Sequence, residues 1–202
     1  MIFEKEKVIF LHYPKTGGNS VQYALQNYTD DKLVISNEKQ DGKERFEVRS
    51  NKYPMLKKHS KLNDYHKMLG DDFLNFQVFI TIRNPFDRLV SFYFSPIRGK
   101  VEYRRDDFAH FLRGCPKLES YIWYQKASSS QPEIFENIKY MKFEQLDIEI
   151  LKLCKPLKIR DIKLPKLNAS KRDNYRKYYD DELKNWVYRE HKFEIALGRY
   201  TF

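Results

Sequence analysis

Apolar residues in this chain fall into two patterns. Residues 7–12 (KVIFLH), 77–82 (QVFITI) and 138–143 (IKYMKF) are short runs rich in β-branched and aromatic side chains, the pattern of strands. Residues 33–35 predict a fourth strand, and the polar stretch 37–52 reads as an excursion between core elements. Elsewhere the apolar spacing turns helical, over 19–27, 61–69, 85–97, 106–113, 117–126, 144–153 and 180–197. Within 85–97, Phe86, Leu89, Val90, Tyr93 and Ile97 recur at helical spacing, with Asn84 as N-cap and Pro85 at the first helical position. Strands alternating with helices predict an α/β fold. One domain over residues 1–202 is expected, a central, mostly parallel sheet flanked by helices, with ligands beyond the carboxyl ends of its strands.

Composition narrows the class. Fifteen Phe, fifteen Tyr and two Trp supply the apolar surface of a real core, which excludes a disordered chain. No apolar run approaches the ~20 residues of a membrane span. Glu4, Lys5, Glu6 and Lys7 interrupt any secretory apolar segment, so a cytoplasmic protein is expected. Cys115 and Cys154 stand far apart with no Cys-x-x-Cys partner, which reads as two buried reduced thiols, and no metal-ligand cluster is visible. The net charge is +10, and residues 155–177 hold nine basic side chains against Asp161 and Asp173. Such a run is either a solvated surface or a footprint for an anionic partner.

The exit of the first strand carries the strongest candidate chemistry. Tyr13-Pro14-Lys15-Thr16-Gly17-Gly18-Asn19-Ser20 runs from strand straight into helix. Paired glycines let the backbone approach an anion, and the amides opening the helix point N–H groups at it. Lys15 adds a full charge, and Thr16 and Ser20 add hydroxyls. The competing reading is a tight turn beside a solvated Lys15; glycines alone would favour it, whereas Lys, Gly-Gly and Ser together favour the cradle. The loop is not a Walker A motif, because Lys15 precedes the glycines and Asn19 stands where the lysine would. The second strand ends in Arg83, where a nucleoside triphosphatase needs a carboxylate for Mg²⁺. That cation points to a second anion site, and Ser91, nearly two turns beyond Asn84, returns to the face where it can join Arg83. The competing reading pairs Arg83 with Asp87 and leaves Ser91 as a packing residue.

In these residues the sequence resembles the nucleotide-dependent sulfotransferases, particularly their carbohydrate-type branch. PKTGGNS at 14–20 is similar to that family's 5′-phosphosulfate loop, and RNPFDRLVSFY at 83–93 to its 3′-phosphate motif. LKKHSKL at 56–62, MKFEQL at 141–146, LPKLNAS at 164–170 and YYDDEL at 178–183 agree with the family in order and spacing, while Asn19 replaces its usual Thr. The resemblance implies a P-loop-like fold and the donor 3′-phosphoadenosine 5′-phosphosulfate (PAPS). By position, Lys15, Thr16, Gly17, Gly18, Asn19 and Ser20 would hold the 5′-phosphosulfate, and Arg83 and Ser91 the 3′-phosphate. It further implies in-line sulfonate transfer to an acceptor hydroxyl, expected on a carbohydrate, with release of 3′-phosphoadenosine 5′-phosphate (PAP).

In that chemistry Lys15 stabilises charge growing on the bridging oxygen, and a histidine suits the general base near pH 7. His59 is the candidate, since it lies in the matching LKKHSKL segment. His12, at the strand end, is the competitor, with a structural role beneath the loop the favoured reading for it, and His66, His110 and His191 are expected to be packing or surface residues. The basic stretch 155–177 either borders the nucleotide, through Lys171 and Arg172, or guides an acidic acceptor. Two other functions compete: a P-loop kinase for a small metabolite, which needs Mg²⁺ and a triphosphate, and a noncatalytic nucleic-acid-binding module that stacks bases on Tyr175, Tyr178 and Tyr179. The second leaves the two ordered phosphate motifs without a use.

Overall fold

A two-residue strand, β1 (Ile2–Phe3), leads into β2 (Val8–Leu11), and β2 shows how the sheet divides the protein. All four of its residues are buried; Ile9 and Leu11 enter one core while Val8 and Phe10 enter the other. In this computed structural model residues 1–202 are described except 41–42, 96–97, 100, 127–128, 166 and 168–171, and the side chains of 35–40 and 43–45. Ile97, Lys166, Asn168, Ala169, Ser170 and Lys171, named or within motifs quoted above, therefore lie outside the described residues.

After β2 the chain forms α1 (Gly18–Leu25), a hairpin of β3 (Lys32–Gln40) and β4 (Lys43–Arg49), α2 (Leu62–Leu69), β5 (Gln77–Ile82) and α3 (Pro85–Tyr93). There follow α4 (Arg105–Arg113), α5 (Glu119–Ile122), β6 (Trp123–Tyr124), β7 (Glu133–Ile134), β8 (Ile138–Lys142), α6 (Leu146–Glu149), α7 (Leu151–Cys154), α8 (Asp181–Glu190) and α9 (Lys192–Gly198). The main sheet has the order β1-β2-β5-β8; β1 is antiparallel to β2, whereas β2, β5 and β8 are parallel. This is the predicted α/β architecture. In β5, Val78, Ile80 and Ile82 join the core of Ile9, and Phe79 joins that of Phe10, so both faces are covered. A third cluster, Phe86, Leu89, Val90 and Tyr93 of α3 with Phe108, Leu112, Leu183 and Val187, packs α4 and α8 against α3.

Five segments differ from expectation, two of them slightly: the helix expected over 85–97 ends at Tyr93, and that over 144–153 is interrupted at Ile150 between α6 and α7. The polar stretch after residue 35 is part of a hairpin, because Phe46 and Val48 of β4 are buried in the core of Phe10 while Glu47 stands between them. The helix expected over 117–126 stops at Ile122, and Trp123 and Tyr124 pair with Ile134 and Glu133 instead. The last helix breaks at His191 (φ −112°) into α8 and α9, and His191 and Glu194 are fully buried at the break.

Candidate active site

Between β2 and α1 the backbone takes left-handed turns at Lys15 (φ 69°) and Gly17 (φ 82°). The first is uncommon for a side-chain-bearing residue and the second suits glycine. A Cβ on Gly17 would stand 2.9 Å from Leu146 Cδ2, and one on Gly18 only 2.1 Å from His12 Cδ2. Both positions therefore exclude a side chain. Thr16 is fully buried and its hydroxyl donates to the Tyr13 carbonyl at 2.7 Å, so that hydroxyl shapes the loop. No side chain caps α1 at Gly17 and no acidic residue lies in its first turn, which leaves the positive end of the helix to an anion. Asn19 is half-buried in that turn. Ser20 Oγ accepts from the Leu167 N–H at 3.4 Å, so the C-terminal segment reaches the start of α1.

Because β5 is the parallel neighbour of β2, Arg83 leaves the sheet beside this loop. Its Nη1 donates to the Lys15 carbonyl at 3.0 Å, its Nε donates to Asp87 Oδ2 at 2.9 Å, and its guanidinium lies 4.1 Å from the centroid of the Phe143 ring. Arg172 arrives from the C-terminal segment and donates to the other Asp87 oxygen. Lys15 Nζ reaches Ser95 Oγ at 3.4 Å. Three cations thus gather here, two of them on the Asp87 carboxylate. Burial, followed by the charges of Arg83 and Arg172, lowers the Lys15 pKa from 10.5 to about 8. Burial lowers that of Arg83 too, with Asp87 opposing. The Arg83–Asp87 pair weighed from sequence is present, and Asp87 is shared with Arg172. Ser91 is buried on α3, and among the described residues no hydrogen bond joins it to Arg83.

His59 meets the loop from the other side. Its Nδ1 lies 3.1 Å from the His12 carbonyl oxygen; a carbonyl only accepts, so Nδ1 carries the proton and the neutral ring keeps its lone pair on Nε2. The residue retains an exposed edge, but the His12 ring crowds it at 4.4 Å. Desolvation lowers its pKa, with the His12 hydrogen bond opposing and the Lys58 charge adding. His12 is buried, contacts Gln22 Oε1 through Nδ1 at 2.9 Å, and packs on Gly18, the structural role expected of it.

Sequence reasoning passed over two sets of supporting residues. Phe143 fills the space between Gly17 and Arg83, and Glu144 accepts from the Asn84 N–H at 2.8 Å, fixing the chain just after Arg83; the MKFEQL resemblance was the available signal. Arg88 on α3 is fully buried and faces Glu194 on α9 at 3.4 Å. Nothing in the sequence joined those two.

Adjacent parallel strands, one ending in a glycine-lined loop beside a lysine and a helix N-terminus and the other in an arginine, make a P-loop-like arrangement. A family model described as the sulfotransferase family matches residues 1–194, and the chain belongs to that family. It is accordingly a sulfotransferase, of a family that draws sulfonate from PAPS. The solved structure of mouse sulfotransferase SULT7A1 complexed with PAP is similar, with 14% identity, a TM-score of 0.49, and coverage of 98% of this chain and 90% of that one. No curated protein matches the chain in sequence. Among the described residues no helix is long and apolar enough to cross a membrane.

Proposed function

We propose that this enzyme moves the sulfonate of PAPS to a carbohydrate hydroxyl, with Lys15 and His59 as catalytic residues. The observation that carries the reading is the convergence of Lys15, Arg83 and Arg172, with one shared carboxylate, at a loop whose Gly17 and Gly18 admit no side chain. The residues present fit the donor: the 5′-phosphosulfate on the amides of the loop 15–20 and the Lys15 ammonium, the 3′-phosphate on Arg83 with Ser91 and Arg172. Arginine suits that end because its planar fork binds phosphate oxygens in pairs.

The acceptor oxygen attacks sulfur as the bond from sulfur to the bridging oxygen breaks. His59 Nε2 takes the acceptor proton, and its lowered pKa keeps that lone pair available near pH 7. Lys15, whose pKa of about 8 leaves it mostly charged at pH 7, stabilises the negative charge left on the departing phosphate. The carbohydrate acceptor is supported by the likeness of the two motifs to the carbohydrate-type branch. A cytoplasmic location is supported by Cys115 and Cys154, both buried and unpaired.

Transfer of labelled sulfonate across a panel of glycan acceptors tests the assignment. His59→Ala should lower transfer by about 10²–10⁴-fold while PAP binding persists, and Lys15→Ala should lose both transfer and most PAP affinity. Wild-type turnover in a folded His59→Ala protein removes His59 from the mechanism.

A further inference from the structure

Behind the two anion sites lies a buried polar cluster that the reaction itself does not use. Arg88, Tyr13, His191 and Glu194 are all fully buried. The Arg88 guanidinium lies 4.3 Å from the centroid of the Tyr13 ring, and its Nη2 donates to the Pro116 carbonyl at 3.3 Å and to Glu194 Oε2 at 3.4 Å. The Tyr13 hydroxyl is shared between the Pro116 carbonyl at 3.0 Å and Glu194 Oε2 at 3.3 Å.

As a stability device the cluster is poor. Its contacts are long, and among the described residues Arg88 Nε and Nη1, both His191 ring nitrogens and Glu194 Oε1 have no hydrogen-bond partner. Buried ion pairs with such geometry are often no better than apolar residues of the same volume. Its position is informative instead. Tyr13 stands two residues before Lys15 and accepts the Thr16 hydroxyl bond that shapes the cradle, while Arg88 sits on the helix that follows Arg83 and carries Ser91. Glu194, from α9, holds both.

We propose that the Arg88–Glu194 pair, with Tyr13 stacked on Arg88, is a positioning device that fixes the distance between the 5′-phosphosulfate loop and the 3′-phosphate helix, so that one nucleotide engages both ends at once. The inference rests on the donor assignment above. Two-ended binding gains from an effective concentration that depends on correct spacing, whereas a ligand with one phosphate gains nothing from it.

Calorimetry with adenosine 3′,5′-bisphosphate, 5′-monophosphate and 3′-monophosphate separates these cases. Glu194→Gln and Arg88→Lys, checked for folding by thermal melting, should weaken the bisphosphate by about tenfold or more and each monophosphate by no more than about twofold. Tyr13→Phe, which deletes one oxygen and keeps the stacked ring, should show the same selectivity to a smaller degree and keeps the test open if the other variants do not fold. Equal losses for all three nucleotides, or unchanged bisphosphate affinity in the folded variants, overturn the inference. A wild-type protein without preference for the bisphosphate overturns the donor assignment and the inference with it.

Discussion

Arg83 and Arg88 stand five residues apart in one segment and are both withdrawn from solvent, yet their surroundings are opposite. Arg88 meets one carboxylate, Glu194, with no second cation against it among the described residues; burial pulls its pKa down, but Glu194 and Tyr13 outweigh that and leave it raised. Arg83 shares its carboxylate with Arg172, stands beside Lys15, and has a lowered pKa. On the function proposed above, the contrast separates a cation held by a single buried carboxylate from one that shares its carboxylate at the nucleotide site.

Three measurements can break or sharpen that contrast. The largest effect is expected from Arg88→Met, which strands the Glu194 carboxylate in the interior. Removing one partner of such a pair costs about 3–5 kcal/mol, so the melting or urea midpoint should fall sharply, and replacing Glu194 with Leu as well should recover part of the loss. A framework role for Arg88 is untenable if the single variant is as stable as wild type.

Next comes Arg83→Met. Asp87 keeps Arg172 as partner, so stability should change by less than about 1 kcal/mol. The lost charge-assisted contacts should instead weaken PAP by about 2–3 kcal/mol, on the order of a hundredfold. A collapse in stability with binding retained would reverse the assignments of the two arginines.

The smallest effect is a pH dependence. Since the Lys15 pKa in the free enzyme is about 8, below its ordinary 10.5, binding of a polyanion pulls it upward and takes up a proton. PAP affinity should then fall as pH rises above about 8, by up to about tenfold per pH unit, and Lys15→Met should flatten the curve. The same shift has a stability counterpart. The unfolded chain holds the Lys15 proton between pH 8 and 10.5 while the folded chain releases it, so this group's penalty on folding is complete below pH 8 and relieved across that window.

How much of this was legible in the sequence follows from the distance over which each feature acts. The run at 77–82 coincides with β5, and that at 138–143 overshoots β8 by one residue, because strands covered on both faces read as unbroken apolar runs. The cradle was legible for the same local reason, since glycines, lysine and helix start are contiguous. The hairpin was hidden by charge: Phe46-Glu47-Val48-Arg49 alternates with the period of a strand, but the polar residues around it masked that signal. The break at His191 was not readable, because a buried His and Glu fit an amphipathic helix as well as a partly solvated pair would. The meeting of Arg88 with Glu194 joins residues 106 positions apart, and the sharing of Asp87 by Arg83 and Arg172 depends on how the C-terminal segment crosses the site. Such charge balances exist only in the folded chain.

The central claim is that the surplus of positive charge at the Lys15 loop and Arg83 is matched to a nucleotide bearing phosphates at both ends. Titrating the wild-type protein calorimetrically with PAP and, separately, with ATP and Mg²⁺ tests it most directly. PAP should bind tightly, with affinity lost in the Lys15→Met and Arg83→Met proteins, and ATP with Mg²⁺ should bind weakly. Strong binding of ATP with Mg²⁺ and none of PAP would contradict the claim and favour a kinase.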